Sequence, residues 1–221
     1  MNLFDIIGPV MIGPSSSHTA GAVRLGLMAR RIIGECPVYA QIDLYGSFAH
    51  TYKGHGTDLA LVAGLLGWSP DDERIPDAFC QAKNAGLDFS FKTIKSTELI
   101  HPNTALFHLK TQSGALCSVG GASLGGGRII INNIDGFPVE LTGELPAILT
   151  IHEDKKGIVS MVSGILAGQN INIASMRLFR NKKGGMAAMI IETDQIIDKK
   201  VLPIIGCESG IKSVRMIDSI V

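Results

Sequence analysis

The sequence predicts an α+β protein of two units, an N-terminal mixed α/β unit and a smaller C-terminal unit of strands and helices in regular alternation. Three observations carry that reading. Short runs with an apolar residue at every second position mark half-buried strands. One long run, Ala20–Ile33, carries its apolar residues at helical spacing. The last third of the chain repeats strand and helix patterns in the order β-α-β-β-α-β, the split βαβ arrangement of ferredoxin-like units.

The chain has 221 residues, enough for one large or two small cores, and 46% of them are apolar, so it folds rather than forming a disordered tail. Twenty basic residues balance 20 acidic ones, which removes the electrostatic footprint of a nucleic-acid or anionic-membrane binder. The expected ligands are small molecules or protein. Charges and glycines interrupt every apolar run before it reaches membrane-spanning length, and Asn2–Asp5 lacks the basic start of a signal peptide, so a cytoplasmic protein is expected. Four cysteines, Cys36, Cys80, Cys117 and Cys207, lie far apart without a Cys-x-x-Cys pair, and are read as small buried hydrophobes rather than metal ligands.

Met1–Ile12 is broken by Gly8 and Pro9 and reads as a lead-in to Gly13-Pro14-Ser15-Ser16-Ser17-His18-Thr19, a crowd of hydroxyls and one imidazole just ahead of the first helix. Free N–H groups and the helix dipole favour an anion or carboxylate at such a place. The plainer reading is an N-cap by Ser17 or Thr19, which needs one hydroxyl and not the whole run. The helix Ala20–Ile33 ends at Gly34, and Val38–Leu44 alternates as a strand. Gly46–Asp58 reads as a polar loop holding Ser47, His50, Thr51 and His55, with Gly54 and Gly56 on either side of His55. Thr57 or Asp58 then caps the apolar helix Leu59–Leu66, which Gly67 ends.

Pro76 opens a short helix running to about Gly86, and Asp88–Ile94 reads as a strand. His101-Pro102-Asn103-Thr104 leads into a strand through Leu106, His108 and Lys110. Asn103 offers donors and an acceptor to a carboxylate or amine, and equally fits an Asx-type turn after the proline. Ser113-Gly114 turns the chain into Ala115–Val119. Gly120–Gly127 has no Gly-Lys-Ser/Thr ending and precedes a strand, so it is read as a wide turn or mobile loop and not as a phosphate loop. Arg128–Ile134 and Phe137–Leu141 form a hairpin through Asp135-Gly136, and Gly143–Pro146 is the expected domain boundary. Beyond it come strand Ala147–His152, helix Ile158–Ala167, strands Ile171–Phe179 and Met186–Thr193 about the turn Asn181–Gly185, helix Asp198–Ile205 and strand Ile211–Ile217.

The last third resembles the ACT domain, a regulatory module of amino-acid enzymes, on the strength of Glu153-Asp154-Lys155-Lys156-Gly157 before its first helix and Gly168-Gln169-Asn170-Ile171-Asn172-Ile173 after it. Lys156 stands where the ACT pattern commonly has proline. The resemblance implies Asp154, Gly157 and Asn170 as ligand or interface positions, and pairing with a second copy. Together with Gly13–Thr19, Gly54-His55-Gly56-Thr57-Asp58 and His101-Pro102-Asn103, this unit makes the whole chain resemble the beta chain of the iron–sulfur-dependent L-serine dehydratases, which convert L-serine to pyruvate and ammonia.

That resemblance implies residues 1–145 as a serine dehydratase beta domain, similar to the allosteric substrate-binding domain of some phosphoglycerate dehydrogenases, and 147–221 as an ACT domain. It implies a [4Fe-4S] cluster on a partner alpha chain, no metal in this chain, and inactivity of this chain alone. It transfers binding or sensing of L-serine, or a similar small amino acid, to His55, Thr57, Asp58 and Asn103. It transfers a contribution to a shared active site to Ser15, Ser16, Ser17, His18 and Thr19. Spacing does not decide whether these are one site or two. The competing readings are a non-catalytic amino-acid sensor and a serine hydrolase, the latter lacking a Gly-x-Ser-x-Gly elbow.

Overall fold

The computed structural model describes residues 9–95 and 101–220 and divides into two compact units, Met1–Asp135 and Gly136–Val221. Most of the expected lead-in Met1–Ile12 lies outside the described residues. No described helix is long and apolar enough to cross a membrane.

In the first unit a π-helical turn, Ser16–Ala20, runs directly into α1, Gly21–Ile33, which ends on Gly34 in the left-handed region as expected. Strand β1, Pro37–Leu44, follows. The expected polar loop is instead a helix, α2, Gly46–His55, and α3, Thr57–Leu66, starts one residue after it. Its composition hid it, since a polar run with glycines has weak helical propensity and no apolar stripe. Tertiary anchors supply what propensity lacks: Phe48 is fully buried, Tyr45 N–H donates to Thr104 O at 3.1 Å and Phe48 N–H to Pro102 O at 3.3 Å. Gly56, at φ 67°, ends α2 and lets the chain turn at once into α3.

A 3₁₀ turn, Ile75–Asp77, and α4, Ala78–Asn84, lead to β2, Asp88–Thr93, then β3, Thr104–Thr111, β4, Leu116–Gly125, and β5, Arg128–Ile134. The strands of this unit lie in the order β2-β1-β3-β4-β5, with β1 and β2 parallel and the other pairs antiparallel. In the register Ala40, Ile42 and Leu44 sit opposite Leu109, Phe107 and Ala105, all buried, so one face of β1 and β3 is apolar. The glycine run 120–127 is also corrected: most of it is the end of β4, laddered to β3 and β5, and only its tail turns. A Cβ on Gly121 would stand 2.9 Å from Leu25 Cδ2, so the missing side chain is what lets α1 lie on the strand. Helices α1 and α3 meet in the same way: a Cβ on Gly26 would stand 2.2 Å from Leu61 O, and one on Gly64 2.1 Å from Val23 O.

Asp135 and Gly136, at φ 52° and 81°, make the expected tight turn, which suits an Asp-Gly pair. The chain passes through it into β6, Phe137–Leu141. The expected break at Gly143–Pro146 thus lies inside the second unit, where Arg177 ties β6 down by donating to Glu140 O at 3.2 Å and pairing with its carboxylate at 3.2 Å. Then come β7, Ala147–Glu153, α5, Ile158–Gly168, β8, Ile173–Arg180, β9, Met186–Thr193, α6, Val201–Gly206, and β10, Ile211–Ile217. Four strands pair antiparallel in the order β10-β7-β9-β8, the ferredoxin-like order. Ile148, Met189 and Ile191 from the sheet and Val162, Leu166, Val201 and Ile205 from the helices make its core. The second helix starts later than expected because the Asp198 carboxylate takes the Lys200 N–H at 2.9 Å, forming a turn ahead of it.

Candidate functional site

The hydroxyl-rich turn is built around His18. Ser15, extended and just outside the π-helical turn, accepts the His18 N–H on Oγ at 3.2 Å, so Ser15 is the capping residue, in place of Ser17 or Thr19. The same Oγ lies 3.4 Å from His18 Nδ1, and Ser47 Oγ, in the first turn of α2, lies 3.2 Å from His18 Nε2. Phe48 meets the imidazole at an edge, ring centroids 5.3 Å apart, and His55, the last residue of α2, stacks against it at 4.9 Å and 33°. Burial pushes the His18 imidazole below the ordinary histidine range, and His55 pushes it the same way.

The other predicted positions lie on neighbouring elements of the same unit. Asn103 is tied to β4: its Nδ2 donates to Ser123 O at 3.5 Å and its carbonyl takes the Ser123 N–H at 3.0 Å. The local turn is closed by the His101 ring, which accepts the Asn103 N–H at 3.3 Å, so the Asn103 side chain is not the turn-former. A Cβ on Gly46 would stand 2.6 Å from Pro102 O, which sets the start of α2 directly on the His101–Asn103 loop. Ser123 in turn abuts the start of α1, since a Cβ on Gly21 would stand 2.0 Å from its Oγ. Ser17 Oγ is 3.6 Å from the Cβ position of Gly125, at the end of β4. His18 and His55 therefore touch directly, while the His101–Asn103 loop reaches the start of α2 through Pro102 and β4 through Ser123.

Neither Thr57 nor Asp58 caps α3 as expected. Gly56 holds the cap position, the Thr57 hydroxyl is buried without a hydrogen-bond partner among the described residues, and Asp58 Oδ1 takes the neighbouring Leu59 N–H at 2.9 Å. Burial pushes the Asp58 carboxyl up, against smaller opposing effects of its backbone hydrogen bonds and Lys53. Thr19 Oγ1 and Ser123 Oγ are likewise buried and unpartnered among the described residues. Buried hydroxyls without partners are uncommon, and three on elements that meet the same turn mark a polar site. Ser47 and Ser123 are the residues whose roles the sequence did not single out. Ser47 lay in the stretch read as a loop, and Ser123 in the glycine run read as a turn.

In the C-terminal unit the Asp154 carboxylate accepts the Gly184 N–H at 2.9 Å and an Arg180 N–H at 3.3 Å, fastening the β8–β9 turn. Gly157, at φ 93°, precedes α5, and Asn170, at φ 57°, sits in the turn after it. The cysteine expectation holds for Cys117 alone, since Cys36, Cys80 and Cys207 are exposed on separate elements. Among the described residues no three His, Cys, Asp or Glu side chains gather to hold a metal ion. The four cysteines, all among the described residues, do not gather into the donor set of a [4Fe-4S] cluster.

Residues 2–134 match the serine dehydratase beta chain family, and residues 147–206 match the ACT domain family. The chain is 47% identical, over 91% of its length and 90% of the relative's, to a probable L-serine dehydratase beta chain of Bacillus subtilis. It is 42% identical to the L-serine dehydratase beta chain of Peptoniphilus asaccharolyticus, over 87% of this chain and 86% of that one. A D-3-phosphoglycerate dehydrogenase of Synechocystis is 26% identical over 86% of this chain, which spans 34% of that enzyme. The chain belongs to the serine dehydratase beta chain family and carries an ACT domain at its C-terminal end.

Proposed function

We propose that this member of the serine dehydratase beta chain family is one subunit of an iron–sulfur-dependent L-serine dehydratase, holding L-serine at the site around His18 while a separate alpha chain carries the [4Fe-4S] cluster. The observation that supports it most is the stacking of His18 on His55 at 4.9 Å, because it joins two separately read motifs. A cysteine set unsuited to a cluster is consistent with the division of labour.

Conversion of L-serine to pyruvate and ammonia removes a proton from Cα and hydroxide from Cβ; water is returned when the resulting enamine, as its imine, hydrolyses. The substrate carboxylate and ammonium must be held still while this happens. The hydroxyls of Ser16, Ser17 and Thr19 and the amide of Asn103 suit the holding task, Ser15 supports it through His18, and Thr57 and Asp58 belong to the same reading. His55 is exposed and its ring nitrogens have no hydrogen bond among the described residues, so in this reading it is the imidazole assigned to proton transfer. His18, hydrogen-bonded at both ring nitrogens, is not. Pairing of the ACT unit with a second copy belongs to the same reading, with Asp154, Gly157 and Asn170 near the ligand or interface. Strand β8 is an outer strand of its sheet and exposes Leu178, which suits such a contact.

Anaerobic co-expression with the alpha chain tests the reading. Serine-to-pyruvate turnover is expected in the mixture and absent from either chain alone. Serine consumption by this chain unaided, or a stoichiometric cluster on it, sinks the proposal.

A further inference from the structure

His18 is gripped from three sides, and two of the grips come from α2. Ser47 Oγ stands 3.2 Å from Nε2, and Phe48, next in sequence, presents its ring edge to the imidazole. The third is Ser15, whose Oγ takes the His18 N–H at 3.2 Å and faces Nδ1 at 3.4 Å. The hydroxyl that accepts this N–H still has its own proton to give, and giving it to Nδ1 defines one tautomer of the ring. That leaves the ring proton on Nε2, where it is donated to Ser47 Oγ. Burial favours the neutral ring.

The His55 ring has no hydrogen bond among the described residues, and its 4.9 Å stack on His18 is the ring contact that sets its plane. We infer that Ser47 is a positioning residue: by accepting the Nε2 proton of His18 it holds that imidazole in one orientation, and through it aims the stacked His55 at the substrate. The inference rests on the functional reading above for its effect on turnover, but not for the hydrogen bond itself. Positioning matters at this scale, because small misplacements of a proton-transferring group cost rate while leaving binding intact.

Two measurements test it. In the enzyme reconstituted anaerobically with the alpha chain, Ser47→Ala is expected to lower kcat by about tenfold with KM within about twofold of the parent, and Ser47→Thr, which keeps the hydroxyl, to restore kcat. In the full chain labelled with ¹⁵N-histidine, the Nε2 proton of His18 is expected to give a resolved signal that Ser47→Ala loses. A rise in KM alone makes Ser47 a substrate contact and overturns the inference, as does unchanged kcat. A His18 Nε2 signal that persists in Ser47→Ala, or is missing from the parent, overturns it too. Should the parent mixture not turn over serine, the functional reading fails, and the histidine spectrum of the parent chain decides the inference by itself.

Discussion

His18 and His55 stack with ring centroids 4.9 Å apart although they lie on different elements, one in the π-helical turn and the other at the end of α2. The contact makes one site of two motifs. After burial, which is the larger cause, the neighbouring His55 also pushes the His18 imidazole below the ordinary histidine range.

Acid should therefore weaken the fold through His18. Its folded pKa lies below the 6.5 of an ordinary histidine, so below pH 6.5 the unfolded chain takes up a proton that the folded chain refuses. Stability is complete above that pH and falls as the pH drops from 6.5 towards the folded pKa. Urea unfolding at about pH 7.5 and about pH 5.5 is expected to show a smaller loss for His18→Gln than for the parent.

Loss of the proton-handling ring should be kinetic. His55→Ala, at an exposed helix end, is expected to lower kcat in the reconstituted enzyme by about a hundredfold or more while shifting Tm little. A large drop in Tm with kcat retained would assign His55 to the fold instead.

Gly21 and Ser123 leave no space for an extra carbon between them. Gly21→Ala is expected to destabilise by about 1–3 kcal/mol through overpacking, and Ser123→Gly in the same chain to recover most of that loss. Ser123→Ala alone should be no less stable than the parent, because it removes a buried hydroxyl that has no partner among the described residues. Denaturant curves of these variants, of Ser123→Gly alone and of the parent complete the cycle.

Asp58 carries a cost of burial. Its folded pKa is raised by burial, so the ionised form opposes folding above that pKa, and the penalty fades as the pH falls through it towards 3.8. Asp58→Asn keeps an oxygen for the Leu59 N–H and is expected to raise Tm near neutral pH, with the difference vanishing in acid. An equal or lower Tm at neutral pH would show the carboxylate to be compensated.

Asp154 fastens the β8–β9 turn, and the Gly184 N–H it accepts holds its carboxyl below the ordinary range, with Arg180 adding to the effect. Its contribution is full above pH 3.8 and is lost as the pH falls through the folded value. Asp154→Ala is expected to speed hydrogen exchange at Gly184 and its neighbours while β7 and β9 stay protected.

Local signals settled much of this protein without any tertiary information. Period-two runs marked β1 and β2, the helical stripe ended by Gly34 marked α1, and Asp135-Gly136 marked its own turn, because each depends on a few neighbouring residues. The βαββαβ order of the last third and the three polar motifs were legible for the same reason, and they were enough to point to the family. Long-range contacts decided the rest. Gly46–His55 is a helix because Phe48 is buried and the backbone is held by Pro102 and Thr104, none of which its own composition reveals. Gly120–Gly125 is strand because β3 and β5 ladder to it and α1 needs the room its glycines leave. Ser47 and Ser123 join the site only when the fold brings α2 to His18 and β4 to Gly21, since spacing along a chain carries no record of which hydroxyl a distant ring will meet.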